Sequence, residues 1–520
     1  MTNPGFVLIL CALLLFVTPT RLRQPLMVAA CGFGMWLLLN PNFGIGQVIA
    51  QIRLPMVLFE LNALNQVFGI AFMAAMILIA VFAGARRHPF EDSAILLLAG
   101  GAVSALFVGD LLSFVAGLEL AGLAAAWTLF ASPLGKSSEA GARLLIWCGL
   151  EGLLFLVGVA FHYSARLENT IELTRLDAHT LGGAFIMAAL LIRVGAPGAH
   201  VWVKDAISHA SGVGGAAVAV FSPMLGVYAL ARIFPGEPLL EPIGETMIVL
   251  GAALAVAEDD MRRAAGYVLT AQIGVCVSLI GLASPLAQAD VSAHAFTTIL
   301  AFLLLLLGLG MIVMRRGPAH FSDAAGLVRA MPATMSFVIV GALAVAGLPL
   351  FAPYVSIALA LEAWTQAGRL LPWVLTAGLC GVIASGFALR LVVAASRPDP
   401  RSQGGVQEAP FQALLGAGLS GFLCLAVGLA PSWLYQLTPT PSLNFNPFAP
   451  DRLAPQFELI AVGGVIYLLL APFRLLPAER PVRLLDLDVL YRGPAAAAGQ
   501  WLGVVAIRMY GAWGEAWRRL

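Results

Sequence analysis

Runs of roughly 18–25 apolar residues recur along this 520-residue chain, each long enough to cross a hydrocarbon layer about 30 Å thick. Residues 61–84, 142–161, 293–314, 331–352 and 372–396 are examples, and about 14 or 15 such spans can be counted. Only 11% of the residues are charged and 60% are hydrophobic, too little charge to cover a soluble protein of this size. Inside lipid every backbone polar group must find a partner within the protein. The expected fold class is therefore an all-α polytopic membrane protein with about 14–15 transmembrane helices.

The first run, "GFVLILCALLLFVTP", has no basic residue before it and is followed by Arg21 and Arg23. A secretory signal has the reverse order, so a retained first helix is expected. Arg21, Arg23, Arg86, Arg87, Lys136, Arg143, Arg262, Arg263, Arg315, Arg316, Arg397 and Arg401 fall in alternate connections, while the others hold acids such as Glu168, Glu172, Glu237 and Glu241. The positive-inside rule then puts the first set in the cytoplasm and the N-terminus outside, in a bacterial-type inner membrane. A net charge of +1 gives no sign of nucleic-acid binding. Cys11, Cys31, Cys148, Cys276, Cys380 and Cys424 lie inside apolar runs without metal-ligand spacing and read as packing residues. Charged residues 397–409 and Pro-rich residues 436–455 read as linkers. The expected organisation is N-terminal helices in 1–90, repeats in 91–235 and 243–396, C-terminal helices in 409–472 and an interfacial tail in 473–520.

Two runs are interrupted. In "LLIRVGAPGAHVWVKDAISHA" (190–210) an apolar helix is broken around Pro197 and Gly198, and charge follows the break. "GALAVAGLPLFAPYVSIALALEAW" (341–364) carries Pro349 and Pro353 within an apolar run. An ordinary proline kink accounts for either alone. Freed backbone groups at membrane depth are tolerated only where protein or a water-filled cavity satisfies them. Two breaks in corresponding positions therefore point to two inverted five-helix repeats, with an ion path where they meet.

Ionisable residues inside spans cost on the order of 2.5–3.5 kcal/mol each at mid-helix and mark pathways or structural pairs. Glu119 is flanked by apolar residues on both sides, and Arg193, ending a later span, is its natural counter-charge. Glu151 is a second acid, nearer the end of a run. The pair reads either as an ion path or as a structural lock between helices. His294 opens a run and reads as a cap or a snorkelling group. The sequence "GKS" at 135–137 lacks a phosphate loop's earlier glycine, since Phe130 stands there, and neither HExxH nor a nucleophile elbow occurs. No covalent catalysis, cofactor or metal site is expected on the chain.

The segment "RVGAPGAHVWVKDAISHASGVGGAAVAVFSPMLGVYALAR" (193–232) resembles the signature of antiporter-like membrane subunits, found in respiratory complex I, Mrp-type cation/proton antiporters and membrane-bound hydrogenases. It keeps Pro197, His200, Trp202, Ala206, Gly226, Tyr228 and Arg232 at the family spacing. "DLLSFVAGLEL" is similar to the family's Glu-bearing helix, with Glu119 in the key place. "DDMRRAAGYVLTAQIG" resembles its Asp-x-Lys-Arg block through Asp260, Arg262, Arg263, Tyr267 and Gly274. "HAFTTILAF" resembles its His-Ala helix, and "SDAAGLVRAMP" with "AGLP" the approach to its second broken helix. The resemblance covers roughly residues 60–395, and "LLDLDVLYRG" is more weakly similar to the tails of Mrp-type subunits. It implies a 14-helix core with inverted repeats and partner membrane subunits.

The departures concern the family's central lysines. Their positions hold Arg193, Met224, Thr298 and Ile357 here. A buried lysine can release its proton near neutrality, whereas arginine stays protonated and Met and Ile carry none. His200, Asp205 and His209 remain as a residual relay. The resemblance implies a subunit of a multisubunit proton- or Na+-translocating complex, a redox-driven translocase among its forms, with a reduced or lost relay. Two alternatives stand beside it: a non-pumping scaffold subunit, and a membrane energy-coupling partner of a peripheral enzyme, as in inorganic-carbon uptake.

Overall fold

The computed structural model describes residues 3–41, 44–49, 56–84, 88–165, 171–398, 406–440 and 445–470. Arg86, Arg87, Glu168, Arg401 and the proposed C-terminal tail lie outside the described residues. Two helices open the bundle, α1 (Pro4–Leu14) and α2 (Thr20–Leu39). A short antiparallel hairpin follows, β1 (Gly44–Ile49) with β2 (Met56–Leu61). It is the one strand pair described in the expected helical membrane fold. "MVLFEL" pairs with β1 before the capping box of Asn62 and Asn65 starts α3 (Ala63–Ala83).

The next ten crossings fall into two units with the same plan. The first holds α4 (Pro89–Leu106), α5 (Leu111–Phe130), α6 (Ser137–Ala165), an interrupted crossing made of α7 (Leu181–Arg193) and α8 (Val201–His209), and α9 (Gly212–Ile233). The second holds α10 (Leu240–Ala257), α11 (Met261–Gly281), α12 (Pro285–Arg316), the short α13 (Leu327–Ala330), an interrupted crossing made of α14 (Pro332–Val345) and α15 (Ala352–Gln366), and then α16 (Leu370–Ile383). A π turn over Ala384–Leu389 joins α16 to α17 (Arg390–Ser396), completing one crossing. Helices α18 (Phe411–Leu429), α19 (Pro431–Leu437) and α20 (Pro450–Leu470) follow. Twelve described helices, with α16 and α17 counted together, are long and apolar enough to cross a membrane. The two interrupted crossings bring the described spans to the expected number, and α1 adds a shorter apolar helix.

Each unit makes an odd number of crossings, so the second runs through the layer in the opposite direction to the first. Their equivalence extends to single hydrogen bonds. Asp110 caps α5 through the Ser113 amide, and Asp260 caps α11 through the Arg262 and Arg263 amides. The strand-like segment before each cap pairs with the segment preceding the broken helix. Leu111 N donates to Ile171 O at 2.8 Å, and Met261 N donates to Ala319 O at 2.9 Å.

The two breaks are built alike. Gly195 and Gly347 take positive φ of 73° and 77°, and each is followed by an amide that reaches back five residues, Ala196 N to Leu191 O and Leu348 N to Leu343 O. This is a glycine-terminated helix end, and the proline two residues on prevents the helix from continuing. At the next position the first break has Gly198 with φ 98°, and the second has Leu350 with φ 85°. A left-handed leucine is strained by roughly 1–2 kcal/mol. Its side chain is half-exposed, so little packing is at stake. Leu350→Gly is accordingly expected to stabilise the protein by about 1 kcal/mol in detergent unfolding; equal or lower stability would show that the strain is offset by side-chain contacts.

The fold places α9, α11 and α12 at the centre, almost wholly buried, with α2, α6, α10, α18 and α20 on the outside. Close approach at the centre uses small residues: Gly212 of α9 and Gly310 of α12 meet backbone to backbone, where a Cβ on either would lie under 3 Å from the other's Cα. All six cysteines are buried and unpaired.

Candidate ion-path site

Arg193 ends α7, directly before the first break, and is 1% exposed. Its Nε donates to Glu151 Oε1 of α6 at 2.6 Å, Nη1 to Ser222 Oγ of α9 at 3.0 Å and Nη2 to the Leu118 carbonyl of α5 at 3.1 Å. One guanidinium thus ties together four helices. This corrects the expected pairing: Arg193 bonds Glu151, not Glu119. Glu119 stands beside them, half-buried against Gly152 of α6, where any Cβ would collide with its carboxylate. Its Oε1 has no hydrogen-bond partner among the described residues. Glu119 is close enough to interact electrostatically with Arg193, but the direct bond goes to the acid that packs deeper.

The remaining charges of the opening motif separate into two groups. Toward the end of α8, Asp205 accepts from Arg143 Nε of α6 at 2.7 Å and pairs with His209 Nδ1 at 3.2 Å. Nearer the break, His200 is fully buried with its ring tilted against Tyr267 of α11, the centroids 6.3 Å apart. Lys204 lies between these groups, 3% exposed, with Nζ 5.2 Å from the Tyr267 ring centre. Gly266 lets α11 approach its backbone. Lys204 sits in the quoted motif, yet reading the family pattern position by position passes over it, because the family places its lysine on another helix.

The family-motif residues have structural work here. Arg262 is 3% exposed and donates to three carbonyls, Ser208 O at 3.2 Å, Ala210 O at 2.7 Å and Ser211 O at 3.1 Å. It closes the C-terminal end of α8, whose last carbonyls have no helical partner. Tyr267 supplies the face under Lys204.

The second break is surrounded by a neutral hydrogen-bond network. His294 lies well inside α12 and is fully buried, which corrects its reading as a cap or snorkelling group. Its Nε2 contacts Gln272 Oε1 of α11 at 3.1 Å and its Nδ1 contacts Ser356 Oγ of α15 at 3.0 Å. Ser356 also meets Thr297 Oγ1 at 2.7 Å and donates to Pro353 O at 3.0 Å. Gln272 Nε2 donates to Val345 O at 2.9 Å, satisfying a carbonyl freed by the break. Gln456 of α20 donates to Gly347 O at 3.3 Å. At the first break the equivalent duty falls to Trp202, whose Nε1 donates to Ile192 O at 2.8 Å. Pro197 and Gly198, like Pro349, lie in the breaks, while Pro353 begins α15. Met224, Thr298 and Ile357, at the lysine positions, are all buried.

Comparison with known proteins bears on the family and the fold. Residues 108–384 match the family described as NADH:quinone oxidoreductase/Mrp antiporter, TM. The NADH-quinone oxidoreductase subunit N of Parafrankia sp. is 28% identical over 339 residues, covering 58% of this chain and 62% of that protein. The F(420)H(2) dehydrogenase subunit N of Methanosarcina mazei is 25% identical over 425 residues, covering 75% of this chain and 85% of that one. Among solved structures, a chain of the Mrp complex from Dietzia sp. superposes with a TM-score of 0.74 at 17% identity, covering 89% of this chain and 98% of that one. A chain of respiratory complex I from Thermus thermophilus superposes with a TM-score of 0.72 at 19% identity, covering 88% and 99%. These two structures share the fold.

Proposed function

Because the chain belongs to the NADH:quinone oxidoreductase/Mrp antiporter transmembrane family, we propose that it is a membrane subunit of a multisubunit proton- or cation-translocating complex, with a reduced proton relay. The N-terminus is outside in this reading, since Arg21, Arg23, Lys136, Arg262, Arg263, Arg315 and Arg316 cluster at alternate helix ends. Other membrane subunits are its partners, and apolar residues such as Leu123, Ile146 and Leu153 leave broad faces for lipid or a neighbour.

The reduced relay rests chiefly on Arg193. A guanidinium keeps its proton, and this one is held by three acceptors on three helices. It locks the first repeat where a lysine would switch. Met224 and Ile357 add no group able to accept or donate a proton. The scaffold and energy-coupling alternatives share this feature, and the proton path then belongs to partners. A residual path is favoured by one observation, the buried Lys204 over Tyr267.

Purified chain in liposomes is expected to pass protons no faster than empty vesicles under an imposed pH gradient. Robust flux, abolished by Glu119→Gln or Lys204→Met, would replace the reduced relay with a working one. Mild-detergent purification of the native chain is expected to retain further polytopic subunits; a monodisperse monomer would remove the subunit reading.

A further inference from the structure

A cavity of about 150 Å³ opens where α2 begins, α3 ends and α4 begins, several times the roughly 30 Å³ that one water occupies. Arg21, Arg23 and Gln24 of α2 line it, with Gly84 at the end of α3 and Asp92 of α4. Arg21 is exposed and makes no hydrogen bond or ion pair among the described residues. Arg23 spends its Nε on Leu15 O at 3.3 Å and Thr18 O at 3.0 Å. Those bonds fix its guanidinium and leave both terminal nitrogens without a partner among the described residues. Gln24 Nε2 donates to Val81 O at 3.2 Å, which pins the amide to α3. Gly84 makes this possible, because a Cβ there would lie 2.5 Å from both the nitrogen and the oxygen of that amide.

Asp92 is the acid of the lining, and it is buried and engaged within the protein. Two guanidinium groups against one carboxyl leave the cavity net positive. An arginine that only snorkels toward water needs neither a cavity nor an amide anchored beside it. Planar guanidinium groups suit phosphate oxygens, which they bind through paired N–H bonds. The neighbouring aromatic residues belong to headgroup level. Phe16, just after α1, stacks on Trp127 near the end of α5 with centroids 5.9 Å apart, and meets Phe90 of α4 edge-on. Tryptophan at a helix end marks the boundary between membrane and water. Leu14, Val17 and Leu22 are exposed on the chain either side of Arg21, leaving apolar surface next to the cationic group.

We propose that this cavity holds the phosphodiester headgroup of an anionic phospholipid, with Arg21 and Arg23 on the phosphate oxygens and Gln24 as a neutral donor beside them. Basic pockets between helices at a membrane face take anionic headgroups in this way. The single negative charge of such a headgroup matches the excess positive charge of the lining. Its acyl chains cover the apolar surface at Leu14, Val17 and Leu22. Inorganic phosphate shares the charge but has no chains to use that surface. The bound lipid ties α2, a helix on the outside of the bundle, to the ends of α3 and α4.

Native mass spectrometry of the full chain in detergent, incubated with phosphatidylglycerol or phosphatidylethanolamine, tests this. One phosphatidylglycerol is expected to stay bound in preference to phosphatidylethanolamine. Retention should weaken about fivefold in Arg21→Gln and about thirtyfold in Arg21→Gln/Arg23→Gln. Lys136→Gln removes an exposed basic residue elsewhere on the chain and should change nothing. Equal retention of the two lipids, or equal weakening by Arg21→Gln and Lys136→Gln, overturns the proposal in favour of diffuse surface charge. Inorganic phosphate alone is expected to show no saturable binding. Saturable phosphate binding lost in Arg21→Gln overturns the lipid assignment and makes the cavity a free-anion site. Should the double variant fail to fold, Arg21→Gln decides the matter, since that side chain has no partner to lose among the described residues. No transport is measured, so the result stands apart from the liposome flux that tests the reduced relay.

Discussion

Arg193→Met is expected to destabilise the protein by about 3–5 kcal/mol, the usual consequence of removing one member of a buried ion pair. The loss has a definite anatomy. Glu151 is left as an uncompensated buried acid, and Ser222 Oγ and the Leu118 carbonyl lose their donor. Detergent unfolding of the single variants and of Arg193→Met/Glu151→Leu would separate the terms. The double variant should recover most of the loss, because an apolar replacement of both partners removes the orphaned charge. Glu119→Gln should cost well under either single change, since Glu119 does not bond the arginine. Equal costs for Glu119→Gln and Glu151→Gln would show that the two acids share Arg193.

Arg262→Met is expected to cost about 3 kcal/mol, chiefly from the Ser208 and Ala210 carbonyls losing their donor, since Ser211 O keeps the Gly215 amide. The damage should be local first. Hydrogen exchange at residues 206–212 should accelerate before the bundle unfolds, because those carbonyls end α8. Arg263→Met, at the half-buried neighbouring position, should stay within about 0.5 kcal/mol of the parent. If both changes cost alike, Arg262 acts through charge near the helix end and not through its bonds.

Much of this fold can be read from the amino acids because lipid leaves so few options. Apolar length fixed the spans, and the paired Gly and Pro residues marked both breaks. The strand pair Gly44–Ile49 and Met56–Leu61 was hidden because it lies between spans and contributes no span-length signal. The site was less legible. Apolar flanks rank Glu119 as the deeper acid, but depth along a helix does not say which way the side chain points. Glu151 faces inward to Arg193, and Glu119 lies at the half-exposed edge of α5. Lys204 escaped for a related reason: its meaning depends on the neighbour across the interface, Tyr267 of α11.

The two breaks differ in when they can be completed as the chain emerges. Trp202 closes the first from within its own crossing, ten residues from the carbonyl it bonds. The second waits for distant donors, Gln272 from a helix already inserted and Gln456 from one that follows 109 residues later. Until α20 arrives, the Gly347 carbonyl stands without that donor at membrane depth, where an unmet backbone group is costly. Synthesis therefore finishes the first repeat early and leaves the second to be sealed by the final described span, making α20 a clasp on the assembly of this half of the bundle.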